Sequence, residues 1–262
     1  MKPFFLTRFI CSGLCLFFVT EGGWAADLTR SEIEGLLASA TQSKPADLRR
    51  KDLRGLDLSR LDFRHADLWG ADLRQADLSH ANLSGLVLDL TVMTGIKLTH
   101  ADLSNVSIFG VSLVKADLSK ANLSGSRVIA IMDGANLSYA DISNANWGAD
   151  MKNQPMGLMR ASLKGANLTG ANLSGGNFDR AMLRLANLTK ANLSKATFFA
   201  ADMAGANLSN TDLSDADLSS AKLLDANFTG SLISGAQFKG IKEEAVLLRL
   251  EKVKGRDTAI FE

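Results

Sequence analysis

Three kinds of side chain in this sequence could do chemistry, and each recurs too regularly to be a single site. Asp or Asn stands at every fifth position over long stretches, as in Asp77, Asn82, Asp102, Asn122, Asn167 and Asn172. Paired carboxylates are the raw material of acid–base catalysis. Here Asn replaces Asp freely, which suits a solvated or backbone-bonding role rather than proton transfer. On that reading Asn172 is an outward position where Asp should be neutral to stability. Ser is equally repetitive two residues later, with no Gly-x-Ser-x-Gly elbow, phosphate-binding loop or His-Glu-x-x-His around it. Of the three histidines, His80 and His100 are twenty residues apart, in a column with Arg60, Lys120 and Tyr139; His65 falls elsewhere. A metal would need neutral imidazoles and a third ligand, and the flanking cations oppose both. The expectation is a non-catalytic chain with no cofactor and no metal site.

What positions these residues is a five-residue period. Ala76-Asp77-Leu78-Ser79-His80 is followed by Ala81-Asn82-Leu83-Ser84-Gly85, and Ala166-Asn167-Leu168-Thr169-Gly170 by Ala171-Asn172-Leu173-Ser174-Gly175. The third residue is the anchor. It recurs every five residues from Leu48 to Val128. After a one-residue deletion it runs Met132, Leu137, Ile142, Trp147, and after an interruption at 148–157 it runs from Leu158 to Phe238, always apolar. Helical faces need spacings of three and four. A continuous strand would send the anchor to the opposite face at every odd step. Each unit is therefore a short extended piece, with its anchor and the small residue two before it facing inward, followed by a corner that suits Gly, Ser, Asn or Lys. Such a unit cannot bury its own Leu, so coils must stack.

The Ala-Asp/Asn-Leu-X-X signature over residues 46–240 resembles the pentapeptide repeat family. The resemblance implies an all-β solenoid: a right-handed quadrilateral β-helix with four repeats per coil and Leu and Phe stacked at its centre. At ~4.8 Å per coil the rod would be roughly 45 Å long, and His80 and His100 would stack on adjacent coils. Some members of the family inhibit or protect DNA gyrase as acidic, DNA-mimicking rods dimerised through a C-terminal helix.

The flanks divide the chain further. Residues 1–26 read as a secretory signal: Lys2 and Arg8, an apolar run from Phe9 to Val19, then Trp24-Ala25-Ala26. Both cysteines, Cys11 and Cys15, lie inside it, so the mature chain would have no thiol. Thr29-Arg30-Ser31-Glu32 is a capping-box pattern that opens a capping helix within 27–45. Residues 241–262 hold a second helix, from Lys242 to Val253, and a tail. Ile241, Ala245 and Leu248 form one stripe; Val246, Leu250 and Val253 form another that serves as a broad cap or a homodimer contact.

Charge narrows the partners. The chain carries 29 Lys and Arg against 28 Asp and Glu. Without Lys2, Arg8 and Glu21 the two signs balance. That opposes nucleic-acid binding and DNA mimicry alike, since a mimic needs about one negative charge per ~1.7 Å of axis. The informative anomaly is apolar: Trp69, Phe109 and Ile129 fall in one outward column, Leu90 sits beside it, and Val92, Val114 and Ile131 occupy the next face. Inward Ala is replaced nearby by Leu86, Thr91, Ile96, Val106 and Val111. A contiguous apolar patch marks a partner site. The expectation is an exported scaffold, periplasmic or secreted (or in the thylakoid lumen of a photosynthetic source), free of the membrane after cleavage and binding a protein partner. A DNA mimic and a purely structural protein are the alternatives.

Overall fold

The computed structural model describes residues 26–149 and 159–262. Residues 1–25, on which the signal reading and both cysteines, Cys11 and Cys15, fall, lie outside them, as do the anchor Leu158 and most of the interruption.

The five-residue period becomes four sides of a square. Strand β1 (Ala46–Asp47) pairs in parallel with β2 (Ala66–Asp67), placing Ala46 beside Ala66. Parallel bridges Asp52↔Asp72, Asp57↔Asp77 and Asp62↔Asn82 complete the turn. Twenty residues thus make one coil with four faces: face 1 through residue 47, face 2 through 52, face 3 through 57 and face 4 through 62. The anchors Leu48, Leu53, Leu58 and Phe63 are fully buried, as are their counterparts up the rod. The Ala residues two before them pack around this column. Where a hydroxyl replaces that Ala, it finds a carbonyl: Thr91 Oγ1 donates to Leu88 O at 2.6 Å and Thr211 Oγ1 to Leu208 O at 2.7 Å. The buried Trp147 indole donates to Ser126 Oγ at 3.0 Å, so the largest anchor leaves no polar group orphaned.

Corners are made by left-handed backbone. The fifth residue of nearly every unit has φ near +60°, whether glycine or not, as at His80 (61°), Leu90 (63°) and Lys120 (58°). This conformation costs an ordinary side chain about 1 kcal/mol or more, and the closing hydrogen bonds, such as Ala81 N–H to Leu78 O at 3.1 Å, hold it.

The deletion acts at the corner between faces 1 and 2. There β3 (Ser107–Ser112) and β4 (Arg127–Ile131) run through the edge as longer strands. Phe109 pairs with Ile129 but Val111 pairs with Ala130, leaving Gly110 without a counterpart. The coil above is one residue short, and the bridges shift to Asp117↔Asn136. The interruption leaves from the same corner: Ile131 pairs with Ser162, and the twenty-residue spacing resumes at Ser162↔Met182.

Both ends are covered. Helix α1 (Arg30–Ala38) opens on the predicted capping box of Thr29 and Glu32 and buries Ile33. Arg30 reaches the bottom edge of the first coil, donating to Asp57 O and Ser59 O at 2.9 Å each. Asp27 does the same on face 2, where its N–H donates to Asp52 O at 2.8 Å. Helix α2 (Glu244–Leu250) is shorter than predicted, and Val246 and Leu250 are fully buried against the last coil. Val253 packs half-buried on the same core. The stripe thus acts as a cap inside its own chain, covering the apolar anchors that the rod end would otherwise expose. On either side of Gly255, at φ +80°, the chain pairs with the top coil, through Leu232↔Lys254 before it and Gln237↔Ile260 after it, and Phe261 stacks on Phe238 at 5.3 Å. No helix among the described residues is long and apolar enough to cross a membrane.

Candidate partner-binding faces

The acidic column is a backbone device. Asp57 Oδ1 accepts the N–H of Ser59 at 2.9 Å, and Asn122 Oδ1 accepts that of Ser124 at 3.1 Å. The same bond closes Asp77, Asp102, Asn167, Asn172 and Asn207 onto the residue two ahead. Either side chain supplies the acceptor, which explains their interchange. The amide adds a bond between coils: Asn122 Nδ2 donates to Asp102 at 3.1 Å and Asn172 Nδ2 to Asp141 at 3.0 Å. Asn172 is therefore not neutral to Asp, as its outward position alone implied. An aspartate there would lose the donor and face Asp141 across the coils.

Charges near the rod's base are paired. The Arg54 side-chain hydrogen bond holds the Asp52 carboxyl down at about 2. Arg64 and Arg74 lower Asp62 and Asp72 in the same way. Burial pushes Asp77 up, but bonds from Lys97 and Ser79 outweigh it and bring this carboxyl also to about 2. His80 and His100 stack at 4.7 Å with their planes 13° apart, at the corner between faces 3 and 4, while His65 lies at another corner. Among the described residues no group of three or more His, Cys, Asp or Glu could hold a metal.

Faces 3 and 4 carry a continuous polar surface, with Ser59, Ser79, Thr99 and Ser119 in one column and Ser84, Ser104 and Ser124 in another. Faces 1 and 2 differ. Trp69, Leu90, Val92 and Ile131 are exposed there, Leu90 by 56%. Phe109 and Val114 are half-buried. Ile129 is the exception, only 3% exposed. The corner deletion draws β4 tight, so Ile129 and Ala130 both sink below the surface instead of extending the Trp69 column.

Sequence reasoning missed four members of this surface. Val87, Leu185, Phe199 and Leu224 are all exposed on faces 1 and 2 or the corner that ends face 2. Among the described residues between the caps, Tyr139 alone is a large exposed apolar side chain elsewhere. Val87 stands one before an anchor, a slot that marks it outward; Leu185, Phe199 and Leu224 lie in otherwise regular coils. The aromatics have fixed settings. Arg50 lies over the Trp69 ring at 4.8 Å and Arg180 over Phe199 at 5.6 Å. The Phe109 N–H donates to Asp89 at 2.9 Å and the Phe199 N–H to Asp179 at 3.0 Å, so the two phenylalanines occupy equivalent sites.

This square coil and its signature define a class. The family model for pentapeptide repeats matches residues 46–79, 57–95, 88–125, 161–198 and 196–235, and the chain belongs to the pentapeptide repeat proteins. No curated protein matches it. Among solved structures, trypsin-treated QnrB1, a plasmid-mediated fluoroquinolone resistance protein, is 18% identical with a TM-score of 0.55, covering 76% of this chain and 96% of its own. That likeness shows the fold. HetL, involved in heterocyst differentiation regulation in the cyanobacterium Nostoc sp. strain PCC 7120, is 28% identical over 80% of this chain and 96% of its own, with a TM-score of 0.35. A pentapeptide repeat protein of the Arabidopsis thaliana thylakoid lumen is 25% identical over 48% of this chain and 75% of its own, with a TM-score of 0.24.

Proposed function

We propose that this protein is a non-catalytic, exported scaffold: a right-handed quadrilateral rod that presents faces 1 and 2 to a protein partner in the periplasmic or secreted space. The observation that carries this reading is segregation. Exposed large apolar side chains gather on two adjoining faces, while the opposite two are lined with Ser, Thr, Asn and Asp. Isolated surface hydrophobes would scatter over all four. Aromatic anchors backed by arginine, as at Trp69 and Phe199, are the residue types that dominate interfaces.

DNA mimicry is the weaker reading, because acidic and basic residues balance outside the signal and the base of faces 1 and 2 interlocks arginine with aspartate. Two measurements test the proposal. Fractionation with N-terminal sequencing should find the protein outside the cytoplasm, beginning at Ala26 or Asp27. Residence in the cytoplasm with Met1 intact would overturn export. Capture from the exported fraction should then depend on faces 1 and 2 and not on faces 3 and 4.

A further inference from the structure

A cavity of about 400 Å³ opens at the corner between faces 1 and 2, where β3 passes β4. The deletion creates it: Gly110 has no side chain and no pairing partner, and Ile129 has sunk below the surface. Val111, Ile129, Ile131, Met159 and Met182 supply aliphatic and thioether walls, and Arg160 is the only charged side chain among the lining residues. The one lining hydroxyl, Ser112, already accepts a bond from Thr94 at 3.3 Å. The volume falls within the range of small-molecule sites, which are typically apolar with a few placed polar groups.

We propose that this cavity binds a medium-chain aliphatic carboxylate, with the alkyl chain against Ile129, Ile131 and the two methionines and the carboxylate on Arg160. The guanidinium fork matches a carboxylate in geometry and charge. The walls favour an alkyl chain over a peptide. A peptide would bring amide groups into a site poor in partners, at the cost of burying them unpaired. Methionine side chains adapt to a flexible chain better than branched residues do. The proposal goes beyond the scaffold reading, and its test needs no protein partner.

The test is titration calorimetry on the purified protein with octanoate, decanoate and decanol, using wild type, Arg160→Glu and Ile131→Glu, each checked for an unchanged melting temperature. Wild type should bind decanoate roughly fourfold per methylene more tightly than octanoate, and at least tenfold more tightly than decanol. Arg160→Glu should erase the preference for decanoate while leaving decanol binding in place. Ile131→Glu should weaken all three. No saturable binding of decanoate, or equal decanoate affinity for wild type and Arg160→Glu, would overturn the proposal. A leucine-terminated peptide acid that bound more tightly than decanoate would overturn the choice of an alkyl chain.

Discussion

The ring of Tyr139 fills the space that a side chain at Gly170 would need: a Cβ built on Gly170 stands 2.6 Å from Tyr139 Cε1. The two residues occupy the same corner on successive coils, through the pairing Asn136↔Asn167. Leu185 lies under Gly205 and Asn210 under Gly230 in the same way: a Cβ built on those glycines would stand 2.7 Å from Leu185 Cδ2 and 2.6 Å from Asn210 Oδ1. At these three corners the side chain rises toward the next coil, where a glycine leaves room for it.

This relationship makes a prediction about two glycines of like backbone. Gly134 and Gly170 both have φ of +66°, but an added Cβ at Gly134 meets nothing within 4 Å. Gly134→Ala should cost about 1 kcal/mol from backbone strain alone. Gly170→Ala should cost at least about 1 kcal/mol more, and adding Tyr139→Ala should recover that excess in a double-mutant cycle by thermal melts. Additive effects would show that the ring does not fill the glycine's space.

The inward and outward sides of one unit should respond differently to the same charge. Leu173 is fully buried, and Leu173→Asp should cost several kcal/mol. Asn187 has neutral neighbours, with Asn167 below it and Asn207 above. Its Oδ1 accepts from Thr189, a role aspartate keeps, so Asn187→Asp should change stability by less than about 0.5 kcal/mol. Asn172→Asp should cost about 1 kcal/mol at pH 7, because it removes the bond to Asp141 and leaves two carboxylates facing. Equal melts for all three variants would mean the register is wrong.

Acid should loosen the base of the rod. The folded Asp52 carboxyl titrates at about 2, below the ordinary carboxylate value of about 3.9. A depressed folded value contributes stability above the unfolded value, and that contribution fades as pH falls from about 4 toward 2. The pair is partly exposed, so the effect is small and salt-sensitive. Arg54→Gln should flatten the fall in melting temperature over that window; an unchanged slope would remove Arg54 as the cause.

The period was enough to read the coil, its anchors and the His80–His100 stack, because one inward side chain every five residues leaves few ways to bury them. The capping box at Thr29 was legible for the same local reason. What escaped depends on neighbours in space. Val246 and Leu250 look like a free stripe until the last coil is placed beneath them. Ile129 keeps its column in the sequence, and only the pairing of β3 with β4 shows that the missing residue pulls it inside. The bond from Asn172 to Asp141 crosses coils at a separation of 31 residues. Leu185 was overlooked at a corner where most residues are polar, although Gly205 one coil above is what makes room for it.

The central claim, that recognition uses faces 1 and 2, is tested most directly by paired capture. The double variant Trp69→Ser with Phe109→Ser alters face 1, while Tyr139→Ser alters a corner of face 3. Trp69 is partly exposed and Phe109 half-buried, so both proteins should keep melting temperatures close to wild type. Immobilised side by side and exposed to the exported fraction, the Tyr139 variant should retain the proteins captured by wild type, and the double variant should lose at least nine-tenths of them. Equal capture by the two variants at normal stability would contradict the account.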